Sequence, residues 1–536
     1  MRKFKTMGVM LDMSRNAVKS VDELKRFLPV VRKMGYNMVL FYMEDTYEVI
    51  DEPYFGYMRG RYSIAEMKEI DEFCASIGME AVPCIQTLAH QETLSRWGEH
   101  PFDNTNIMLA GDERIYLLID RMFKTLSSCF RTRRLHVGMD EAYLLGRGKY
   151  QDIHGARTQA EIMKDHLARV NELAAKYGYE EPMIWSDMLF YAWNDRKYFV
   201  PRQEVPEEYK NALPENIIPV YWDYYHDQKQ NFSDMLAMHQ DISKKTWFAG
   251  GVWTWGGPMP DNEWTIKSMK PAIDACREHK IDNIFMTMWG DYGNECSFWT
   301  VLPSLCYIAE YAKGNTDEEK IKAKFKRITG LDFDECMRIN HANFIAGNEQ
   351  DVLHARNPSK YMLYADTLND FLDWTVKPGA SHKFAEVAAD MHALAKKSRR
   401  IGYVYETAGC LCDALEIKYE LGLRTRAAYE AGDKDELRRL CNEDYVKVCR
   451  LIDRYGKAME KQWKRESKFC GFEAIDIRIG AVIRRLQSVR RRLLEYCDGK
   501  IDRIEELDVA ILPFREEKKS IVFGSALASM GANIYT

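Results

Sequence analysis

No stretch of this chain reaches the roughly 18 consecutive apolar residues of a membrane-spanning helix. The opening MRKFKTMGVMLDMSRNAV follows its basic residues with a short apolar run that Asp12 and Arg15 interrupt, whereas an export signal needs an unbroken one. A dominant charge is missing too: 76 Lys and Arg stand against 81 Asp and Glu, a formal net charge of -5. No global field draws such a chain to nucleic acid or to an anionic membrane. Paired metal-ligand spacing is also lacking. The 13 cysteines are odd in number, and Cys84, Cys129, Cys276 and Cys306 are scattered through apolar segments, as reduced core residues of a cytoplasmic protein would be. Cys410 and Cys412 form the one close pair, with no two further ligands beside it. No metal and no cofactor is expected, and no low-complexity tract is present.

What the chain has is length, 536 residues at 46% hydrophobic and 29% charged, more than one ordinary core needs at roughly 150 residues per domain. Its first 300 residues repeat one pattern: a short apolar run, a polar loop, an amphipathic helix. The runs are TMGVMLD (6–12), NMVLFYME (37–44), GMEAVPCIQ (78–86), RRLHVGMDE (133–141), PMIWSDM (182–188), IIPVYWDY (217–224), TWFAGGVW (246–253) and NIFMTMWG (283–290). Near-continuous apolar strands alternating with helices imply parallel pairing with both faces buried. Eight such units predict a (β/α)8 TIM barrel, an α/β fold.

Helix-start signals agree with this pattern. Ser20 with Glu23, Ser63 with Glu66 and Thr158 with Glu161 read as capping boxes, and Gly35, Gly78 and Gly178 read as helix stops ahead of strands. The segment 189–216, rich in Trp, Tyr, Pro and charge, reads mostly as loop. From about residue 315 the strand signal ends, and helical stretches follow at 380–398, 404–431, 434–466 and 473–498. The expected organisation is therefore a catalytic barrel over 1–315 and an all-helical C-terminal region over 316–536. Arg484, Arg485, Arg490, Arg491 and Arg492 cluster there, but the acids around them in sequence favour an ion-paired helix face over a phosphate-binding one.

Barrel enzymes place chemistry at the carboxyl ends of the strands. Here those ends supply Asp12, Glu44 and Asp45, Gln86 with His90, Asp140 and Glu141, Trp185 and Asp187, Tyr221 and Asp223, Trp253 and Trp255, and Trp289 and Asp291. Carboxylates with abundant indoles suit a neutral sugar, whose ring face stacks and whose hydroxyls need acceptors. Along the fourth strand Leu135, Val137 and Met139 alternate with His136, Gly138 and Asp140, so parity turns Asp140 into the lumen and leaves Glu141 where the chain exits the sheet. His136 reads as a buried, hydrogen-bonded support for this end rather than a metal ligand.

Glycosidases usually hold two carboxyl groups about 5 to 9.5 Å apart across the anomeric carbon. Sequence neighbours do not easily straddle a sugar in that way. If Asp140 and Glu141 both act, Glu141 can protonate the leaving oxygen while Asp140 grips the substrate itself. A 2-acetamido group fits, because its carbonyl oxygen can attack C1 while a carboxylate holds its N–H.

His136-Val137-Gly138-Met139-Asp140-Glu141 matches the H-x-G-x-D-E pattern, and on it the chain resembles glycoside hydrolase family 20, the β-N-acetylhexosaminidases, over roughly 1–315. Through Glu44-Asp45-Thr46-Tyr47-Glu48 and the segment Phe55 to Tyr62 it looks closest to a compact bacterial branch without the usual N-terminal α/β domain. The resemblance implies exo-acting, retaining, substrate-assisted removal of terminal β-linked GlcNAc or GalNAc from an oligosaccharide or glycoconjugate. It makes Asp140 the orienter of the acetamido group and Glu141 the acid and then the base. It implies that Tyr221 donates to the acetamido carbonyl, that Asp223 binds sugar, that Trp185, Trp253 and Trp255 enclose the acetamido group, and that Asp45 and His90 tune the acid. Trp289-Gly290-Asp291 stands for the family's Trp-x-Glu. Two departures bear on hydroxyl recognition: Met7 occupies the strand-one position of a sugar-binding Arg, for which Arg59 or Arg61 could substitute, and Asp291 is one methylene shorter than Glu.

Two other readings remain. In one, Glu141 is the acid and Asp187 or Asp291 a covalent nucleophile on a sugar without an acetamido group; in the other, the barrel binds glycans without cleaving them. No nucleic-acid or membrane partner is expected, and a homodimer is left open.

Overall fold

The computed structural model describes residues 3–210, 213–255, 257–291, 293–343, 358–370 and 372–512. Eight parallel strands close a barrel in chain order: β1 (Thr6–Asp12), β2 (Met38–Met43), β3 (Glu80–Ile85), β4 (Arg134–His136), β5 (Glu181–Trp185), β6 (Ile218–Trp222), β7 (Trp247–Gly251) and β8 (Asn283–Met288). Seven fall within the apolar runs of the sequence, and β5 begins one residue ahead of its run, at Glu181. β1 closes the ring by pairing with β8, Gly8 opposite Phe285; a Cβ on Gly8 would come within 3.0 Å of the Phe285 Cβ, so glycine suits this closely packed seam.

The helices between strands form for the local reasons written in the sequence. Ser63 and Thr158 close full capping boxes with Glu66 and Glu161, and the Ser20 hydroxyl accepts from the Glu23 N–H. Gly35, Gly78 and Gly178 each take a positive φ where a helix ends, a conformation a Cβ disfavours. After β5 the described residues form two short helices, Asp187–Tyr191 and Glu207–Lys210, before β6. The helix after β6, Lys229–Ile242, is fully formed, burying Phe232, Met235, Leu236, Met238, His239 and Ile242 along one stripe despite the Asn, Ser and Asp of its sequence.

Register fixes which side chains enter the lumen. Tyr42 lies opposite Asp12, Cys84 opposite His136, His136 opposite Met183, and Trp185 opposite Val220; partners in register share a face. Trp185 reaches across to Phe285 of β8, their ring centroids 5.9 Å apart, so this face is the interior. By alternation Tyr42, Gln86, His136, Trp185, Val220 and Trp222 point inward.

The chain divides into two compact units. The first is Met1–Trp253, Glu263–Trp289 and Leu302–Gly330; the second is Thr254–Asn262, Gly290–Val301 and Leu331–Thr536. The boundary near 330, rather than 315, reflects helix Leu302–Tyr311, where Tyr36 donates to the Leu305 carbonyl at 3.0 Å, and Lys313 Nζ, which donates to the Met34 carbonyl at 2.7 Å. The helical unit contains His382–Lys397, Gly402–Glu430, Lys434–Asn442, Asp444–Glu466 and Glu473–Cys497, the expected 434–466 helix being interrupted at Glu443. Within this unit, Glu295 and Lys360 form an ion pair of 2.9 Å with both side chains almost fully buried, where removing one partner typically costs about 3–5 kcal/mol. Two of the clustered arginines are ion-paired, Arg485 with Asp366 and Arg492 with Glu506, while Arg490 donates to the Cys441 carbonyl. All 13 cysteines are free thiols. No described helix is long and apolar enough to cross a membrane.

Candidate active site

The site is built on a turn that leaves β4. Regular pairing ends at His136, although Val137 N–H still reaches the Met183 carbonyl and Trp185 N–H the Gly138 carbonyl. Parity therefore does not carry on to Asp140. The backbone instead turns left-handed, with φ of 76° at Gly138, 74° at Met139 and 52° at Glu141, which costs about 1–2 kcal/mol at each non-glycine residue. Side chains hold the turn: His136 Nδ1 accepts the Gly138 N–H at 3.1 Å, Gln86 Oε1 the Met139 N–H at 3.1 Å, and Asp187 Oδ2 the Glu141 N–H at 2.8 Å. Burial drives the His136 pKa down to about 3, so its neutral ring keeps Nδ1 as an acceptor. A Cβ on Gly138 would lie 2.1 Å from Gln86 Oε1 and 2.6 Å from the Ile85 carbonyl oxygen. Gly138→Ala is accordingly expected to destabilise the barrel by about 1–3 kcal/mol and to lower activity. Denaturant unfolding checks this, and an unchanged midpoint would show that the turn accepts a side chain.

The turn delivers two carboxyl groups to different surroundings. Asp140 is buried at the floor, with Oδ1 taking the Gln86 amide N–H at 2.6 Å and Oδ2 3.3 Å from His90 Nε2. Burial alone would raise its pKa, but the His90 charge and the hydrogen bonds outweigh it, and the Asp140 carboxyl is held below its usual range. For His90, burial opposes the charge while Asp140, and then Glu44 and Glu141, favour it, leaving the ring protonated with a pKa of about 10. The Glu141 side chain is 43% exposed; its Oε2 lies 3.6 Å from His90 Nε2 and its Oε1 accepts from the Tyr143 hydroxyl at 3.1 Å. One carboxylate is thus anchored and anionic, and its neighbour reaches toward solvent.

Behind them runs a polar floor. Gln86 Nε2 also donates to Tyr42 Oη at 2.9 Å, Tyr42 Oη to Glu44 Oε1 at 3.3 Å, and Arg15 lies 3.7 Å from Glu44 and 3.4 Å from Asp12. Burial raises the Glu44 pKa to about 7 against the pull of Arg15 and His90. Asp187, fully buried, is pushed up to about 8 by burial and then by Asp140; its second oxygen takes the Trp222 indole N–H at 3.4 Å. Aromatic walls rise above the floor. Trp185 packs on His136 at 4.3 Å and on Trp289 at 5.9 Å, and Trp289 meets Tyr42 edge-on at 4.8 Å. Trp289 Nε1 donates to Tyr224 Oη at 3.0 Å, and Trp253 Nε1 donates to the Tyr224 carbonyl at 3.1 Å. The Trp185 indole N–H meets no acceptor among the described residues. Among those residues no group of three His, Cys, Asp or Glu is suited to a metal.

A model of the glycoside hydrolase 20C C-terminal domain matches residues 334–523, downstream of a barrel that carries the H-x-G-x-D-E residues at its fourth strand end. The matched domain is one of glycoside hydrolase family 20, the family to which this chain is similar. Among curated relatives, it is 24% identical over 353 residues to hexosaminidase D of Bos taurus, covering 59% of this chain and 95% of that protein. Hexosaminidase D of Homo sapiens gives 24% over 354 residues, covering 59% and 68%. Among solved structures, the exo-β-N-acetylglucosaminidase of Vibrio harveyi in complex with N-acetylglucosamine aligns at 15% identity and a TM-score of 0.46, over 61% of this chain and 58% of that one. This chain therefore spans less than two thirds of the length of that enzyme.

Of the family-derived assignments, the structure brings Asp140, Glu141, His90, Trp185, Trp253 and Trp289 into one neighbourhood. It turns three others away. Tyr221 alternates outward from Val220 and Trp222: its ring packs on His239 and Phe248, 4.8 and 5.4 Å away, and its hydroxyl donates to Asp223 Oδ2 at 2.8 Å. Asp223 is fully buried and takes the Tyr225 N–H and His226 Nδ1 besides. Tyr224, three residues on, supplies the hydroxyl beside Trp289. Asp45 is also fully buried, binding Arg59 at 3.0 Å and the Thr93 hydroxyl at 2.6 Å; Glu44 is the neighbour that acts on His90. Neither Arg59 nor Arg61 replaces the strand-one arginine, since Arg59 is spent on Asp45 and the Ser14 and Arg15 carbonyls, and Arg61 on the Pro53 and Phe55 carbonyls. The guanidinium beside Asp12 and Glu44 is that of Arg15. Trp255 and Asp291 fall within segments of the helical unit. Counting strand parity forward from Tyr42 and Trp185 would have chosen Glu44 over Asp45 and rejected Tyr221.

Proposed function

We propose that this family 20 hydrolase is an exo-acting β-N-acetylhexosaminidase that cleaves terminal β-linked GlcNAc or GalNAc with retention, using the substrate's acetamido oxygen as nucleophile. The observation that carries this reading is the placement of Asp140 and Glu141 on one left-handed turn, the first anchored and anionic on an indole-lined floor, the second exposed at its rim. Such neighbours suit a carboxylate that holds an acetamido N–H while charge develops over the oxazolinium ring, next to an acid that protonates the leaving oxygen. Trp185, Trp253 and Trp289 would enclose the acetamido group. Tyr224, whose hydroxyl accepts from the Trp289 indole at 3.0 Å, would take the part that the motif assigned to Tyr221. Arg15, beside Asp12 and Glu44, is the guanidinium suited to the sugar hydroxyls.

A covalent mechanism through Asp187 is disfavoured. That carboxyl is fully buried, both its oxygens are engaged, and its raised pKa keeps it protonated at neutral pH, whereas a nucleophile must be anionic and reach C1. A chromogenic panel of β-GlcNAc, β-GalNAc, β-Glc and β-Gal aryl glycosides tests the proposal. The expected result is cleavage of the two N-acetyl sugars, inhibition by N-acetylglucosamine thiazoline and release of the β-anomer first. Cleavage of β-Glc or β-Gal without thiazoline inhibition would overturn it.

A further inference from the structure

The Asp140–Glu141 turn owes its shape to two side chains with no part in the chemistry described above. Gln86, one residue beyond β3, uses both ends of its amide on successive residues of the turn: Oε1 accepts the Met139 N–H at 3.1 Å and Nε2 donates to the Asp140 carboxylate Oδ1 at 2.6 Å. The missing Cβ of Gly138 leaves the space its amide fills, since a side chain there would meet Gln86 first. Asp187, two residues beyond β5, accepts the Glu141 N–H at 2.8 Å while the Trp222 indole steadies its other oxygen at 3.4 Å. Both are fully buried, so water does not replace either acceptor when it is lost, and the left-handed backbone at Met139 and Glu141 would relax toward ordinary φ.

We propose that Gln86 and Asp187 are positioning residues that clamp the turn from two different strand ends, Gln86 setting the direction of Asp140 and Asp187 the direction of Glu141. This rests on the reading of Asp140 and Glu141 as the reacting pair. Neither Gln86 nor Asp187 touches the sugar; each acts by fixing a carboxyl whose misplacement by about 1 Å can cost ~10²-fold in rate. The two halves of the clamp leave different marks. Losing Asp187 loosens the acid, so the penalty grows with the leaving group's need for a proton. Losing Gln86 loosens the acetamido orienter, so the penalty is alike for every leaving group.

The test is kcat and KM for Asp187→Leu, Asp187→Asn and Gln86→Met on aryl N-acetyl-β-glucosaminides spanning a range of leaving-group pKa, with Glu141→Gln alongside. Asp187→Leu should lose about tenfold or more in kcat on the poorest leaving group and under about threefold on the best. Asp187→Asn, whose amide oxygen still accepts the Glu141 N–H, should stay within about threefold throughout. Gln86→Met should lose about tenfold in kcat uniformly, with KM little changed. A uniform loss in Asp187→Leu, equal damage in Asp187→Asn and Asp187→Leu, or near-normal kcat in Gln86→Met would overturn the clamp while Glu141→Gln remains impaired. A Glu141→Gln enzyme of full activity would overturn the underlying reading, and the clamp with it. If Asp187→Leu does not fold, Asp187→Ala supplies the same comparison.

Discussion

Glu141→Gln is expected to lower turnover of substrates with weakly acidic leaving groups by at least about a hundredfold, within the 10²–10⁴ that general acid catalysis contributes. The substitution keeps the side chain's size and its contact with the Tyr143 hydroxyl, 3.1 Å away, and removes only the transferable proton. Nearby charge shapes what that proton does. His90, protonated through most of the working pH range, lies 3.6 Å from one oxygen of Glu141 and stabilises the carboxylate formed once the proton has left. An aryl leaving group that departs as a stable anion needs no proton, so the glycosylation step should be far less impaired there. Pre-steady-state and steady-state rates across a leaving-group series make the measurement. A loss of equal size for good and poor leaving groups would remove Glu141 from the role of acid.

The barrel was legible because each of its strands is a short apolar run, and burial on both faces leaves no other use for TMGVMLD or NIFMTMWG. The turn that carries Asp140 and Glu141 was legible only as a motif. Alternation predicts side-chain direction while the chain stays in the sheet, and regular pairing stops at His136; the left-handed residues beyond it are set by Gln86, His136 and Asp187, acceptors from three separate segments that no local pattern announces. Where the sequence reading failed, it failed by parity. Asp45 and Glu44 are neighbours, yet one anchors Arg59 and Thr93 while the other acts on His90, because a one-residue step reverses the face of a strand. The same step separates Tyr221, packed against His239 of the surrounding helix, from Trp222, bonded to Asp187. The unit boundaries were hidden for a different reason. Glu295 and Lys360 are far apart in the chain and become partners only in the folded helical unit, so composition gives no sign that 290–301 groups with 331–536.

Asp140→Asn should reduce kcat by at least about a hundredfold with little change in KM, the scale of losing one preorganised group that acts in the transition state. The asparagine keeps the size and an oxygen for the Gln86 amide, but it loses the charge held in place by His90, 3.3 Å away. If the acetamido oxygen attacks C1, that charge matters most as positive charge spreads over the oxazolinium ring. Tyr224→Phe should act in the same direction, by about tenfold or more, because it removes the hydroxyl positioned by Trp289 at 3.0 Å. Tyr221→Phe provides the contrast: its hydroxyl faces Asp223 and the helix layer, so its kcat should stay close to wild type even though the family motif points to it. N-trifluoroacetyl substrates complete the argument, since fluorine weakens the internal nucleophile without altering the aryl leaving group. Wild-type glycosylation should slow as fluorine is added. Wild-type rates indifferent to fluorination would refute substrate assistance, and a Tyr221→Phe enzyme impaired more than Tyr224→Phe would return the acetamido contact to the residue that the structure turns away.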